Sequence, residues 1–147
     1  MSLQFSESDS PGFLTNLTAM AINTGNDKAL APYGVTGAQW TVLWLLSERK
    51  ADTPKTIAAY LNIDTGATSR LLARLQHKGL IETVPNPDDR RSVIVHRTAR
   101  AAKLYPKLRE AIAASVEHAF TGISRTELTA FKRILLHVLE NQTAPRR

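Results

Sequence analysis

The 147-residue chain contains no cysteine. That absence removes disulfides, thiolate metal ligands and any cysteine redox switch. No apolar run approaches the roughly 20 residues that a membrane-crossing helix needs, so no membrane partner is expected. The opening stretch, Met1-Ser2-Leu3-Gln4-Phe5-Ser6-Glu7, lacks the basic start of a secretory signal. Residence in the cytoplasm is the resulting expectation. No internal repeat or low-complexity tract is visible. A Gly-rich phosphate loop, a nucleophile with a base at recognisable spacing and a metal cluster are also missing. The four histidines, His77, His96, His118 and His137, form no i, i+4 pair. Neither enzymatic activity nor a metal or cofactor is expected.

An apolar fraction of 43% is ordinary for a globular protein. The length suits one domain, or one domain with an added dimerisation layer. The net charge of +6 is unevenly spread. Between Thr65 and Arg109, ten Lys/Arg stand against three Asp/Glu, whereas the rest of the chain carries nine against ten. A solvated charged surface accounts for the total but not for this segregation. A localised basic stripe points to a polyanion.

Residues 1–12 are Ser-rich and end in Pro-Gly, and read as a flexible leader. A helix is expected from Phe13 to about Ala31, weakened by Gly25 and stopped by Pro32, with Phe13, Leu17 and Met20 on its apolar face. Thr36-x-x-Gln39 is a capping box opening a helix through Ser47 that is apolar on most sides and should be buried. Thr53-Pro54 starts a short helix to Leu61. After the turn at Asn62-Ile63, Asp64 caps a helix to Lys78, which Gly79 closes. Two short runs, Ile81–Val84 and Ser92–His96, then flank Asn86-Pro87-Asp88-Asp89-Arg90-Arg91, which reads as a hairpin tip. Thr98 opens a long helix to about Phe120 with Leu104, Leu108, Ile112 and Val116 in one stripe and Pro106 as an expected kink. Ser124-x-x-Glu127 caps a last helix with Leu128, Phe131, Leu135, Val138 and Leu139 inward, and residues 143–147 should fray.

Two helices joined by a tight turn and followed by a basic hairpin form the layout of a winged helix-turn-helix, whose second helix lies in the DNA major groove. The fold expected is mainly α with a small β-hairpin wing and a helical dimerisation layer. The winged unit covers about 36–97, and the dimerisation helices about 13–31 and 98–141.

On the second helix of the pair, Thr65, Gly66, Ser69, Arg70 and Ala73 share one side and Leu71, Leu72 and Leu75 the other. No carboxylate falls between Thr65 and Lys78. Small residues let a helix approach base edges, hydroxyls bond bases or phosphates, and Arg70 suits guanine O6/N7. Arg74, His77 and Lys78 are placed toward phosphates or water. In the hairpin, Asp89 is expected to hold the Arg91 guanidinium, aimed at a narrow minor groove, with Arg90 nearer a phosphate.

Several motifs together carry a family resemblance. Asp89-Arg90-Arg91 runs into Ser92-Val93-Ile94-Val95-His96-Arg97-Thr98, Lys78-Gly79-Leu80-Ile81 closes the polar helix, and Thr36-x-x-Gln39-x-x-x-Leu43 opens the buried one. From Phe13 to Glu140 the chain resembles the MarR/SlyA family of dimeric winged-helix transcription regulators. It departs from the family pattern at Arg97, where leucine is usual, at Ala101, where glycine is common, and at Thr68, a position usually apolar. The resemblance implies a single domain over 13–147 that forms a homodimer on the double-stranded DNA of a pseudo-palindromic operator. Its two recognition helices would enter successive major grooves. It also implies a repressor released by a small amphipathic or aromatic effector lodged where the dimer layer meets the winged unit. The lining there would come from Asn16, Met20, Trp40, Leu43 and Trp44, Trp40 having an alternative place as a core or dimer-layer aromatic. A competing reading is a winged-helix interaction module that binds protein or RNA without ligand-responsive gene control.

Overall fold

A computed structural model describes Ser6 and residues 9–144. In chain order it contains α1 (Pro11–Leu30), a 3-10 turn (Ala31–Tyr33), α2 (Gly37–Ser47), α3 (Pro54–Leu61), α4 (Thr65–His77), β1 (Ile81–Pro85), β2 (Val93–Arg97), α5 (Ala99–Ala119) and α6 (Arg125–Thr143). The architecture is the expected one of helices with a single antiparallel hairpin.

The helix starts follow from local chemistry. Thr36 Oγ1 accepts the Gln39 N–H while Gln39 Oε1 accepts the Thr36 N–H, at 3.3 and 3.2 Å. Thr53 and Thr56 form a second reciprocal box with Pro54 opening the helix, and Ser124 with Glu127 a third. Each satisfies N–H groups that a helix N-terminus leaves without partners. The leader expected over 1–12 falls mostly outside the described residues. Its last two, Pro11 and Gly12, instead form the first turn of α1, because Ser10 Oγ accepts the Phe13 N–H at 3.1 Å. At the other end Thr143 stays helical, its hydroxyl donating to the Leu139 carbonyl at 2.9 Å; residues 145–147 lie outside the described residues. Helix α5 runs unbroken through Pro106.

The chain forms two compact units, one through Val116 and the other from Glu117 onward. The core belongs to the first. Leu30, Val42, Leu43, Leu45, Ile57, Leu75 and Leu108 are fully enclosed, each side chain contributing about 1.5–3 kcal/mol by leaving water. Gly25, which weakens α1 as a helix, allows close packing: a Cβ there would sit 3.3 Å from Ser115 Oγ of α5.

The hairpin pairs Ile81 with Arg97 and Pro85 with Val93 at its two ends. Its root is held from two sides. The Val95 N–H donates to the Asp52 carbonyl at 2.7 Å. Thr98 donates its hydroxyl to the Gly79 carbonyl at 2.7 Å and accepts the Ala101 N–H, so it fastens the end of α4 while capping α5.

Two outer helices depart from expectation. On α1 only Leu30 is buried, and Phe13, Leu17 and Met20 are exposed. On α6 no residue is buried; Phe131, Val138 and Leu139, expected inward, are exposed, and Leu128 and Leu135 are half-covered. Helical periodicity gives these faces their apolar character, but nothing among the described residues covers them.

Candidate nucleic-acid interface

Helix α4 owes its placement to Asp64 and two leucines. Asp64 Oδ1 accepts the Ala67 N–H at 2.7 Å, and Leu72 and Leu75 enter the core. Thr68 is 1% exposed. Its hydroxyl donates to the Asp64 carbonyl at 2.9 Å, which removes the cost of a polar group at an apolar position. Thr65, Gly66, Ser69, Arg70, Ala73 and Arg74 all face solvent, as the helical spacing predicts. At Gly66 a Cβ would lie 3.2 Å from Asp64 Oδ1 and 3.4 Å from Arg70 Nη1. Glycine there leaves room for the cap and for the arginine at once.

The wing tip is built from side chains that imitate backbone turns. Asn86 Oδ1 accepts the Asp88 N–H and Asp89 Oδ1 accepts the Arg91 N–H, both at 3.0 Å. The Ser92 N–H donates to the Asp89 carbonyl, and the Asn86 N–H to the Ser92 carbonyl. Asp89 therefore fixes Arg91 through its backbone and does not grip the guanidinium as expected. Among the described residues no Lys or Arg lies within 4.0 Å of a carboxylate, the one contact of that kind being the His137 ring with Glu140 at 3.8 Å. Arg90 and Arg91 are exposed and keep their charges unneutralised.

Helix and wing share one surface cleft of about 350 Å³, where Thr65 and Ser69 of α4 meet Asp89 and Arg91 of the tip. Lys55 also lines it, a cation that sequence reasoning missed. The available signal was a lysine in the first turn of α3, where the helix dipole disfavours positive charge. Arg70 and Arg74 lie on the same exposed helix face outside this cleft, and Arg90 projects from the tip. The site thus combines hydroxyls, small residues and unpaired cations on a convex helix beside a concave cleft, a surface suited to a polyanion with readable edges.

Other expected contacts lie elsewhere. The Lys78 ammonium donates to the Gly34 carbonyl at 2.6 Å and to Gln39 Oε1 at 2.7 Å. It ties the end of α4 to the start of α2 and is not directed to a phosphate. Arg97 stacks over the Tyr105 ring at 5.1 Å, and Tyr105 stacks on Trp40 at 5.1 Å, so the departure at 97 is accommodated by a cation–π contact. The residues expected to line an effector site have these surroundings within one chain. Leu43 is enclosed in the core, Trp40 packs on Tyr105, Trp44 on Tyr60 and under Lys50, and Asn16 and Met20 face outward on α1. Leu43 is corrected to a core residue, because the inner side of α2 is closed over by its neighbours.

Comparison with known proteins gives consistent matches. A family model described as "MarR family" covers residues 33–92. The chain is 31% identical over 111 residues to the multiple antibiotic resistance protein MarR of Escherichia coli K12, covering 75% of this chain and 77% of that one. The transcriptional regulator MgrA of Staphylococcus aureus is 29% identical over 114 residues, covering 78% and 76%. Among solved structures, a mutant E. coli MarR complexed with operator DNA superposes with a TM-score of 0.80 at 27% identity, covering 87% of this chain and 92% of that one.

Proposed function

Because the chain belongs to the MarR family of transcriptional regulators, we propose that it works in the cytoplasm as a homodimeric, sequence-specific DNA-binding repressor. A small amphipathic or aromatic ligand would release it from a pseudo-palindromic operator. The observation that carries this reading is the cleft shared by α4 and the wing, with Thr65, Ser69, Asp89 and Arg91 together. In this assignment Thr65, Ser69 and Arg70 meet base edges and Arg74 a phosphate. Arg91 enters a flanking minor groove and Arg90 meets a phosphate, while Asp89 shapes the tip that presents both arginines. Lys55 joins them as a further cation.

The homodimer reading is supported by the apolar faces left open. In α1 these are Phe13, Leu14, Leu17 and Met20, and in α6 Ile134, Leu136, Val138 and Leu139. Contiguous exposed apolar surface on a helix marks an association site, and a twofold dimer presents two identical readers to two half-sites. The domain assignment follows: one functional domain over 13–147, with 36–97 reading DNA and the helices at about 13–31 and 98–141 joining protomers. Release by a ligand is then a population shift toward dimers whose recognition helices no longer sit about 34–36 Å apart. Asn16, Met20, Trp40 and Trp44 stay assigned to the effector, Trp40 through its half-buried face beside Tyr105.

Gel-shift titration with the DNA upstream of its own gene, in excess nonspecific competitor, tests the proposal. A retained complex with one protected segment is expected. Binding that vanishes under competitor, together with tight binding to RNA or to a protein, would favour the interaction-module reading.

A further inference from the structure

A second cleft, of about 300 Å³, lies between the end of α2 and the root of the hairpin, where Leu46, Arg49, Asp52, Val95, His96 and Arg97 converge. Arg49 is unusual in its backbone. Its φ is +53°, and it follows the last turn of α2, where the Lys50 N–H returns to the Leu45 carbonyl at 2.9 Å. This is the left-handed closing position of a helix, which glycine normally fills because any Cβ is strained there. Here the strained position carries a guanidinium that lines the cleft.

Among the described residues Arg49 has no carboxylate within 4.0 Å, and neither has Arg97. One face of the Arg97 guanidinium lies on Tyr105, which leaves its N–H edges free to donate in the plane. Asp52 is the one acid lining the cleft, so two fixed positive charges face one negative charge, with the His96 ring beside them. Two unpaired planar donors lining one small cleft match the oxygens of a carboxylate or phosphate.

We propose that this cleft binds a small free oxyanion, a carboxylate or phosphate compound, at a site separate from the DNA-reading surface. Two observations favour a free anion over a DNA phosphate. Arg97 ends the five-residue strand β2, at the root of the hairpin and about 16 Å along the strand from the tip. The volume also sits at the lower bound for small-molecule pockets. An occupant bridging Arg49 and Arg97 would join the loop after α2 to the wing root, beside the existing Asp52–Val95 bond.

The test is a titration of the full chain with inorganic phosphate, against sodium chloride at matched ionic strength. It is read by thermal denaturation and by the backbone amide resonances of Arg49, Val95 and Arg97. Saturable shifts confined to these amides and a raised Tm are expected. Arg49→Gly should remove both responses while itself folding with an unchanged or higher Tm, since glycine relieves the positive φ. Arg97→Gln should weaken the response at least tenfold. No saturable response beyond chloride, or an equal response in Arg49→Gly, overturns the proposal. Shifts centred on α4 and the wing tip overturn it too. If Arg49→Gly instead lowers the salt dependence of duplex binding, the cleft holds a DNA phosphate and the free-anion assignment is wrong.

Discussion

Arg91→Ala removes a charge that no carboxylate of the described residues approaches within 4.0 Å and that the Asp89–Arg91 turn holds at the wing tip. Each phosphate neutralised by a protein cation contributes about 0.9 to the slope of log K against log salt. An arginine in the minor groove displaces condensed counterions in the same way, so one per protomer in a dimer makes the loss about 1.8. Between 50 and 200 mM salt, the parent's affinity should therefore fall about tenfold further than the variant's. Fluorescence anisotropy with a labelled operator at four or five salt concentrations reads this directly. Asp89→Ala is the companion. Charge alone predicts tighter binding when a carboxylate leaves the tip. The structure predicts weaker binding, because the Arg91 N–H loses its acceptor and the tip loses its shape. Parallel salt slopes for parent and Arg91→Ala would refute the wing assignment, and tighter binding by Asp89→Ala would refute the role given to the turn.

Arg70→Ala should cost about 1–3 kcal/mol on the preferred operator and flatten discrimination at one base position in each half-site, measured by binding to a set of single-base variants. Lys78→Met removes two charge-assisted hydrogen bonds, one to the Gly34 carbonyl and one to the buried Gln39 Oε1, which keeps only the Thr36 N–H. It should lower unfolding free energy by about 1–3 kcal/mol in urea denaturation and leave the DNA salt slope unchanged; a reduced slope with full stability would return Lys78 to the interface. The Ser124 hydroxyl, and then its backbone N–H, hold the Glu127 carboxyl below its ordinary range. Its folded pKa is thus lower than its unfolded one, so the cap stabilises α6 above the unfolded value and is lost as pH falls through the folded value. Amide protection factors in the first turn of α6 should fall as pH drops below the ordinary carboxylate range, and Glu127→Gln should abolish that acid step.

Helix starts were readable because their chemistry is local. Thr36 with Gln39, Thr53 with Thr56, and Ser124 with Glu127 each complete their hydrogen bonds within three residues. The outer face of α4 was readable for a related reason: helical spacing sorts Leu72 and Leu75 from Ser69 and Arg70 without further information. Lys78 was not readable. Its partners Gly34 and Gln39 lie 44 and 39 residues away in sequence, so its charge looked free. Trp40 and Trp44 share a side of α2 by spacing, yet one meets α5 and the other α3. Periodicity shows that a face is apolar and not what covers it. The same gap explains the exposed stripes of α1 and α6.

The most direct test of the central claim, a twofold reader on duplex DNA, is the mass of the protein alone and on its operator by light scattering after size exclusion. The account predicts twice 16.2 kDa for the free protein and two protomers on each operator duplex. A single 16.2 kDa chain in solution and one protomer per duplex, or no complex, would contradict it.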